Sequence, residues 1–299
     1  MVIAHRGASG YLPEHTLAAK ALAHGMGADF LEQDVVATSD GQLIVFHDLY
    51  LDQMTDVATR YPGRARADGL HYCLDFTLPE LRVLRVTERR RKGSTTARFP
   101  GRFPADTGSF GIHTFEEELD LIRGLNRSTG RTAGVYAEIK EPEWHASQGV
   151  NPGDRMIEIL RSFGYRTPED RFYVQCFSSD ELRRVRARFG AELPLIQLLD
   201  WGAPTSRQDL TNIASYAQGI GPATELLLAD RSIVRTARQL GLLVHAFTFR
   251  ADDLPAGFAT FDELLVTFIQ SLEIDGLFTD FPDLVVRHLN QPLAVQGQR

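Results

Sequence analysis

The amino-acid sequence predicts an α/β fold, a parallel (β/α)8 barrel in one domain over residues 1–299, with a long insertion over 49–113. Three observations carry this. Short β-rich runs alternate with longer helical segments, the pattern of βα units around a parallel sheet. A tight Asp40-Gly41 turn joins two of those runs and accounts for a ninth strand beside the eight a barrel needs. The chain has 299 residues and is 43% hydrophobic. That supplies the core of one barrel, a fold of roughly 250 residues, without forcing a second domain.

Strands are expected at 2–5, 29–36, 43–47, 134–140, 172–177, 194–199, 217–220, 242–249 and 275–279. Helices are expected at 14–26, 114–128, 153–163, 179–189, 207–216, 230–240, 260–271 and 282–289. The helix at 14–26 is apolar on one face and is followed by Gly25 and Gly27. The helix at 179–189 opens on Ser178-Ser179-Asp180-Glu181, a capping and acidic start. Segments 29–36 and 43–47 are joined too tightly for a crossover, so they read as an antiparallel hairpin. A two-residue turn on Asp40-Gly41 sets Asp34 opposite His47. Residues 49–113 differ in kind, with Tyr61-Pro62-Gly63, Phe99-Pro100-Gly101 and Phe103-Pro104 and one modest helix signal near 78–86. They read as an insertion shaping one side of the active-site mouth.

The formal net charge is −7 and the pI about 5.7, which argues against nucleic acid as a main partner. A small phosphorylated substrate needs only a local positive site. Cys73 and Cys176 form neither a disulfide framework nor a zinc motif. No apolar run reaches the ~18 residues of a membrane span, so no stable membrane insertion is expected. Val2-Ile3-Ala4-His5 reads as a core strand and not as the charged start of a signal peptide; a mature form with an added Met would begin this way.

The chemistry concentrates at strand ends. Glu32-Gln33-Asp34 puts two carboxylates on one face of a strand, and Glu138-Ile139-Lys140 does the same with a carboxylate and an amine. Such residues either face outward as ordinary ion pairs or face inward, paired or bound to an ion. His47 beside Asp34 is a candidate for acid/base work or metal support, or a structural histidine. His5-Arg6-Gly7 ends the first strand, with an arginine fork suited to phosphate oxygens and a glycine allowing close approach. Three carboxylates repel an anionic phosphate, a conflict that a hard divalent cation resolves. Oxygen ligands suit Mg2+ or Ca2+ rather than zinc.

The ordered set His5-Arg6-Gly7, Pro13-Glu14-His15-Thr16, Glu32-x-Asp34, Thr38-x-Asp40-Gly41, His47-Asp48, Glu138-x-Lys140 and Gly276-Leu277-Phe278-Thr279-Asp280-Phe281-Pro282 resembles the glycerophosphodiester phosphodiesterases. It runs from residue 2 to about 290, and the insertion, with Thr55-Asp56-Val57, resembles the periplasmic bacterial branch. The resemblance implies a TIM barrel that hydrolyses glycerophosphodiesters such as glycerophosphocholine or glycerophosphoethanolamine to sn-glycerol 3-phosphate and an alcohol. It implies His5 and His47 as the acid/base pair and Glu32, Asp34 and Glu138 as ligands of a divalent metal, Ca2+ in the periplasmic branch. Arg6 and Lys140 would contact phosphate. By analogy, a substrate hydroxyl would attack phosphorus first, giving a cyclic phosphate that water opens. Glu14 reads as a helix-start carboxylate or a supporting residue, and His15 as helix-start structure. Phe177 and Phe249 end strands and read as core or as lining of the alcohol pocket. Glu88-Arg89-Arg90-Arg91-Lys92 reads as a solvated face or as a patch that draws anionic headgroups toward the mouth. His113, His145 and His245 receive no role. Oligomeric state has no signal. The rival readings are a barrel phospholipase acting on intact lipid and a non-enzymatic binding protein on the same fold.

Overall fold

Eight strands pair in parallel, each with the next, and the last returns to the first, so the sheet closes into a barrel. They are β1 (Val2–Ala4), β2 (Phe30–Ala37), β4 (Gly134–Ile139), β5 (Phe172–Cys176), β6 (Leu195–Leu199), β7 (Gly219–Pro222), β8 (Leu243–Phe249) and β9 (Gly276–Thr279), with β3 (Leu43–Val45) antiparallel to β2. This computed structural model describes residues 1–291; residues 292–299 of the expected domain lie outside it. Both cysteines are buried and free.

The helices cover the outside, and their starts follow the side chains that satisfy their first N–H groups. Thr16 caps Leu17–Gly25, so that helix begins three residues later than its apolar face suggests. Thr114 and Glu117 form a capping box on Phe115–Thr129, and Ser178 caps Ser179–Phe189.

The hairpin register differs from the expected one. Val35 pairs with Val45 and Ala37 with Leu43, and Phe46 donates its N–H to the Asp34 carbonyl at 2.9 Å. Thr38 and Gln42 close a three-residue loop in which Gly41 takes φ 74°, in place of a two-residue turn. One residue of shift puts His47 past the paired strand, beyond Asp34 rather than opposite it. The hairpin's outer face carries Val36 and Ile44. On them pack Phe46, Leu51, Met54, Val57, Phe76, Leu81, Leu84, Val86 and Ile112 of the following segment, a second apolar cluster.

Inside the barrel, Ile3, Phe30, Tyr136, Ile196 and Phe278 fill the lower lumen. Tyr136 stacks on Tyr173 at 5.0 Å and meets His245, whose Nδ1 lies 2.8 Å from the Tyr136 hydroxyl. Side chains two residues further along β2 and β4 are polar, and the site begins there.

Candidate active site

Parallel register brings the carboxylates together. Asp34 of β2 pairs with Glu138 of β4, and Glu32 lies one pleat below Asp34 on the same face. Glu32, Asp34 and Glu138 each present a ligand atom, all within 4.8 Å of one another, and all three are buried. Glu32 accepts from the Arg6 N–H at 2.7 Å and from Gln175 Nε2 at 3.0 Å. Asp34 Oδ2 meets His15 Nε2 at 2.7 Å, while its Oδ1 has no partner among the described residues. A buried carboxylate oxygen without a donor is costly unless something cationic faces it. An all-oxygen triad with one free, inward lone pair therefore fits a hard divalent cation.

Charge sharing inside the triad follows. Burial, then Asp34, pushes the Glu32 carboxyl well above its usual range. Burial pushes Glu138 up to about 8, against the pull of Lys140. Burial also works on Asp34, but Lys140 and His15 outweigh it and hold that group well below its usual range. Lys140 donates to Glu138 at 2.8 Å. Arg6 donates to Glu14 at 2.8 Å and sits 3.6 Å from Asp34. Arg6 and His15 hold φ at 59° and 54°, left-handed conformations that cost non-glycine residues energy and cluster at functional sites.

The two histidines stand at the edge of this triad. His5 Nδ1 lies 2.5 Å from Asp280 Oδ1, and its Nε2 lies 3.9 Å from Glu32. His47 Nδ1 lies 2.5 Å from Asp48 Oδ1. A carboxylate on Nδ1 selects the tautomer with its proton there and leaves Nε2 bare toward the cavity. Burial and then the Arg6 charge lower His5 to about 4, although Asp280 opposes them. Burial, Arg6 and Lys140 lower His47 to about 3.

His5, Arg6, Glu32, His47, Glu138 and Lys140 all line one cavity of about 470 Å³, and Asp34 lies within the carboxylate triad beneath it. Phe177 lines its rim, 44% exposed beside Trp201. Phe249 does not reach the cavity. β8 carries one extra residue relative to β9 between Ala246 and Phe249, and this bulge turns Phe249 to the helix side, where it is buried against Phe268 at 4.9 Å. Phe247 takes the lining position instead.

Several participants carry no clear signal in the sequence. His15 caps no helix with its side chain but orients Asp34. Asp280 and Asp48 hold the histidines; both belong to the motifs His47-Asp48 and Thr279-Asp280-Phe281-Pro282, whose pattern alone gives neither aspartate a role. Arg89 is no solvated face: its side chain is 7% exposed and binds Glu14 and Asp48. Glu14 accepts from both Arg6 and Arg89, so it is a supporting carboxylate joining the barrel to the insertion. His113 binds Glu118, and His145 packs against the Ala37 and Glu141 backbone, both away from the cavity.

Among the described residues no helix is long and apolar enough to cross a membrane. The chain is similar to a Haemophilus influenzae glycerophosphodiester phosphodiesterase at 37% identity, covering 97% of this chain and 89% of that one. A Treponema pallidum protein of the same name is 36% identical, covering 98% and 92%. Among solved structures, an Oleispira antarctica phosphodiesterase in complex with the product sn-glycerol-3-phosphate superposes with a TM-score of 0.71 at 23% identity, covering 97% of both chains. The model of the glycerophosphoryl diester phosphodiesterase family matches residues 5–284, from His5 into the helix that follows the closing strand. With the barrel, the triad and the histidine pair on one cavity, the chain belongs to that family.

Proposed function

We propose that the chain hydrolyses glycerophosphodiesters to sn-glycerol 3-phosphate and an alcohol, using His5 and His47 as its acid and base. The observation that carries this is one cavity holding two aspartate-anchored histidines, the Glu32-Asp34-Glu138 triad with its free oxygen, and the Arg6 and Lys140 cations. Arg6 and Lys140 bind the phosphate oxygens and favour charge developing on them. The basic histidine takes the proton of the attacking hydroxyl at Nε2. The other, as the imidazolium, delivers its Nε2 proton to the oxygen of the leaving alcohol, so the P–O bond breaks without expelling a bare alkoxide; water then opens the resulting cyclic phosphate with the two histidines in exchanged roles, giving sn-glycerol 3-phosphate. Glu32, Asp34 and Glu138 hold a divalent metal, which supplies positive charge next to the phosphate when bound. Ca2+ is our assignment over Mg2+. The adaptable coordination of Ca2+ suits three carboxylates set by strand register, and the resemblance to the periplasmic branch supports both this ion and a periplasmic location.

Phe177 forms one wall for the leaving alcohol, and the 49–113 insertion contributes Arg98 to the cavity lining. The test is release of sn-glycerol 3-phosphate from glycerophosphocholine and glycerophosphoethanolamine, after chelation and then with Ca2+ or Mg2+ restored. Metal-dependent release is expected from both, faster with Ca2+. No release with either ion would refute the reading.

A further inference from the structure

The insertion meets the barrel at the two aspartates behind the histidines. Arg102 donates through Nη2 to Asp280 Oδ2 at 2.7 Å, and its Nε and Nη2 hold Asp252 at 2.8 and 2.9 Å. Asp280 uses its other oxygen for His5. Arg89 donates through Nη1 to Asp48 Oδ2 at 2.6 Å, and grips Glu14 with Nε and Nη2 at 2.9 and 2.6 Å. Asp48 uses its other oxygen for His47. The same three-link chain, arginine to aspartate to imidazole, therefore occurs twice, and both arginines come from the insertion. Their side chains are 7% and 5% exposed. Arg102 is held further by the Phe99 ring, 3.8 Å from its guanidinium, and by the Ser9 carbonyl at 3.3 Å. Ser9 in turn donates to the His5 carbonyl.

An imidazole held at one nitrogen still rotates if its carboxylate partner swings. A planar guanidinium on the second carboxylate oxygen removes that freedom, because its donors are fixed in one fork. We propose that Arg89 and Arg102 are positioning residues, and that the insertion is the device that orients both histidines of the barrel at once. This rests on the reading of His5 and His47 as acid and base. It gives the insertion a part in the chemical step, beyond shaping the mouth.

The test compares Arg89→Ala, Arg102→Ala and their lysine counterparts with wild type on glycerophosphocholine in saturating Ca2+. Arg102→Ala leaves Asp280 paired with Arg250 at 3.0 Å, and Arg89→Ala leaves Glu14 paired with Arg6 and Asp48 with His47 alone, so each of the three keeps a partner. Each alanine variant is expected to lose kcat by about tenfold or more, with KM within about threefold, since partners behind a reacting group act on its orientation. Added guanidinium is expected to restore part of the lost kcat, and lysine, which lacks the fork, to restore less. Arg90→Ala, at the exposed Asp106 pair, is the control and keeps wild-type kcat. A second measurement needs no turnover. Ring 15N shifts of His5 should lose their single-tautomer separation in Arg102→Ala while His47 keeps it, and the reverse should hold in Arg89→Ala. Folded variants with wild-type kcat and unchanged 15N shifts would overturn the proposal, as would a loss of kcat and KM together that guanidinium does not rescue. A wild-type protein that releases no product would instead remove the functional reading, and this one with it.

Discussion

Glu88 is buried with Oε2 unpartnered among the described residues, and burial followed by repulsion from Glu14 pushes its carboxyl up to about 8 from 4.5. The fold favours its protonated form. Its contribution is full below the unfolded value of 4.5 and is lost as pH rises through about 8. Glu88→Gln should therefore flatten the decline of stability between about pH 4.5 and about pH 8, as denaturant midpoints across that window would show; an unchanged slope would mean that Glu88 is ionised without cost. The same-face pairs Glu32/Asp34 and Glu138/Lys140 are legible because a strand's period of two assigns the face, whereas His5, Arg6 and His47 stand out only through the ordered set of motifs. The roles of Arg89, Arg102 and His15 are not legible. Arg89 reads locally as one member of a basic run, and its partners Glu14 and Asp48 come from elsewhere in the chain. Only the folded path of the insertion shows that they meet.

The elements behind β2 share one buried charge network. Lys20 is fully buried; it donates to Glu118 at 2.6 Å and also to the Glu32 carbonyl. Glu118 in turn accepts from Gln33 at 2.9 Å and meets His113 Nε2 at 2.7 Å. The network locks helices Leu17–Gly25 and Phe115–Thr129 onto the strand that carries Glu32 and Asp34. Lys20→Met strands the Glu118 carboxylate and should cost about 3–5 kcal/mol of unfolding free energy, whereas Lys20→Met with Glu118→Leu should recover much of it. A double-variant loss equal to the sum of the Lys20→Met and Glu118→Leu losses, measured by denaturant unfolding, would mean that the pair is not coupled. At this scale the sequence was informative where pattern is regular and misleading where the chain adds a residue. The alternation located β1, β2 and β4 to within a residue or two. The three-residue loop after Ala37 moved His47 by one position, and the bulge in β8 reversed Phe249. Neither irregularity has a local signal strong enough to outweigh the regular period.

For the whole molecule, a ligand that binds the folded triad but not the unfolded chain should raise stability by RT ln(1 + [L]/Kd), about 2.7 kcal/mol at a hundredfold excess over Kd. Ca2+ should therefore raise the melting temperature of the chelated protein, and Asp34→Asn should abolish that rise. A rise that persists in Asp34→Asn would place the ion elsewhere. The barrel was legible at this scale because βα alternation fixes parallel neighbours and the eighth unit has only the first strand left to join. The insertion's docking was not, since its apolar cluster uses the hairpin's outer face, a surface that exists only once β3 has paired. The aromatic layer of Phe30, Tyr136, Tyr173, His245 and Phe278 has a last consequence. Filling the lower lumen, it leaves the cavity open on the opposite, upper side of the barrel. Molecules arriving and departing share that side, so glycerol 3-phosphate that lingers blocks the next arrival, and the turnover of this protein should slow as its own product accumulates.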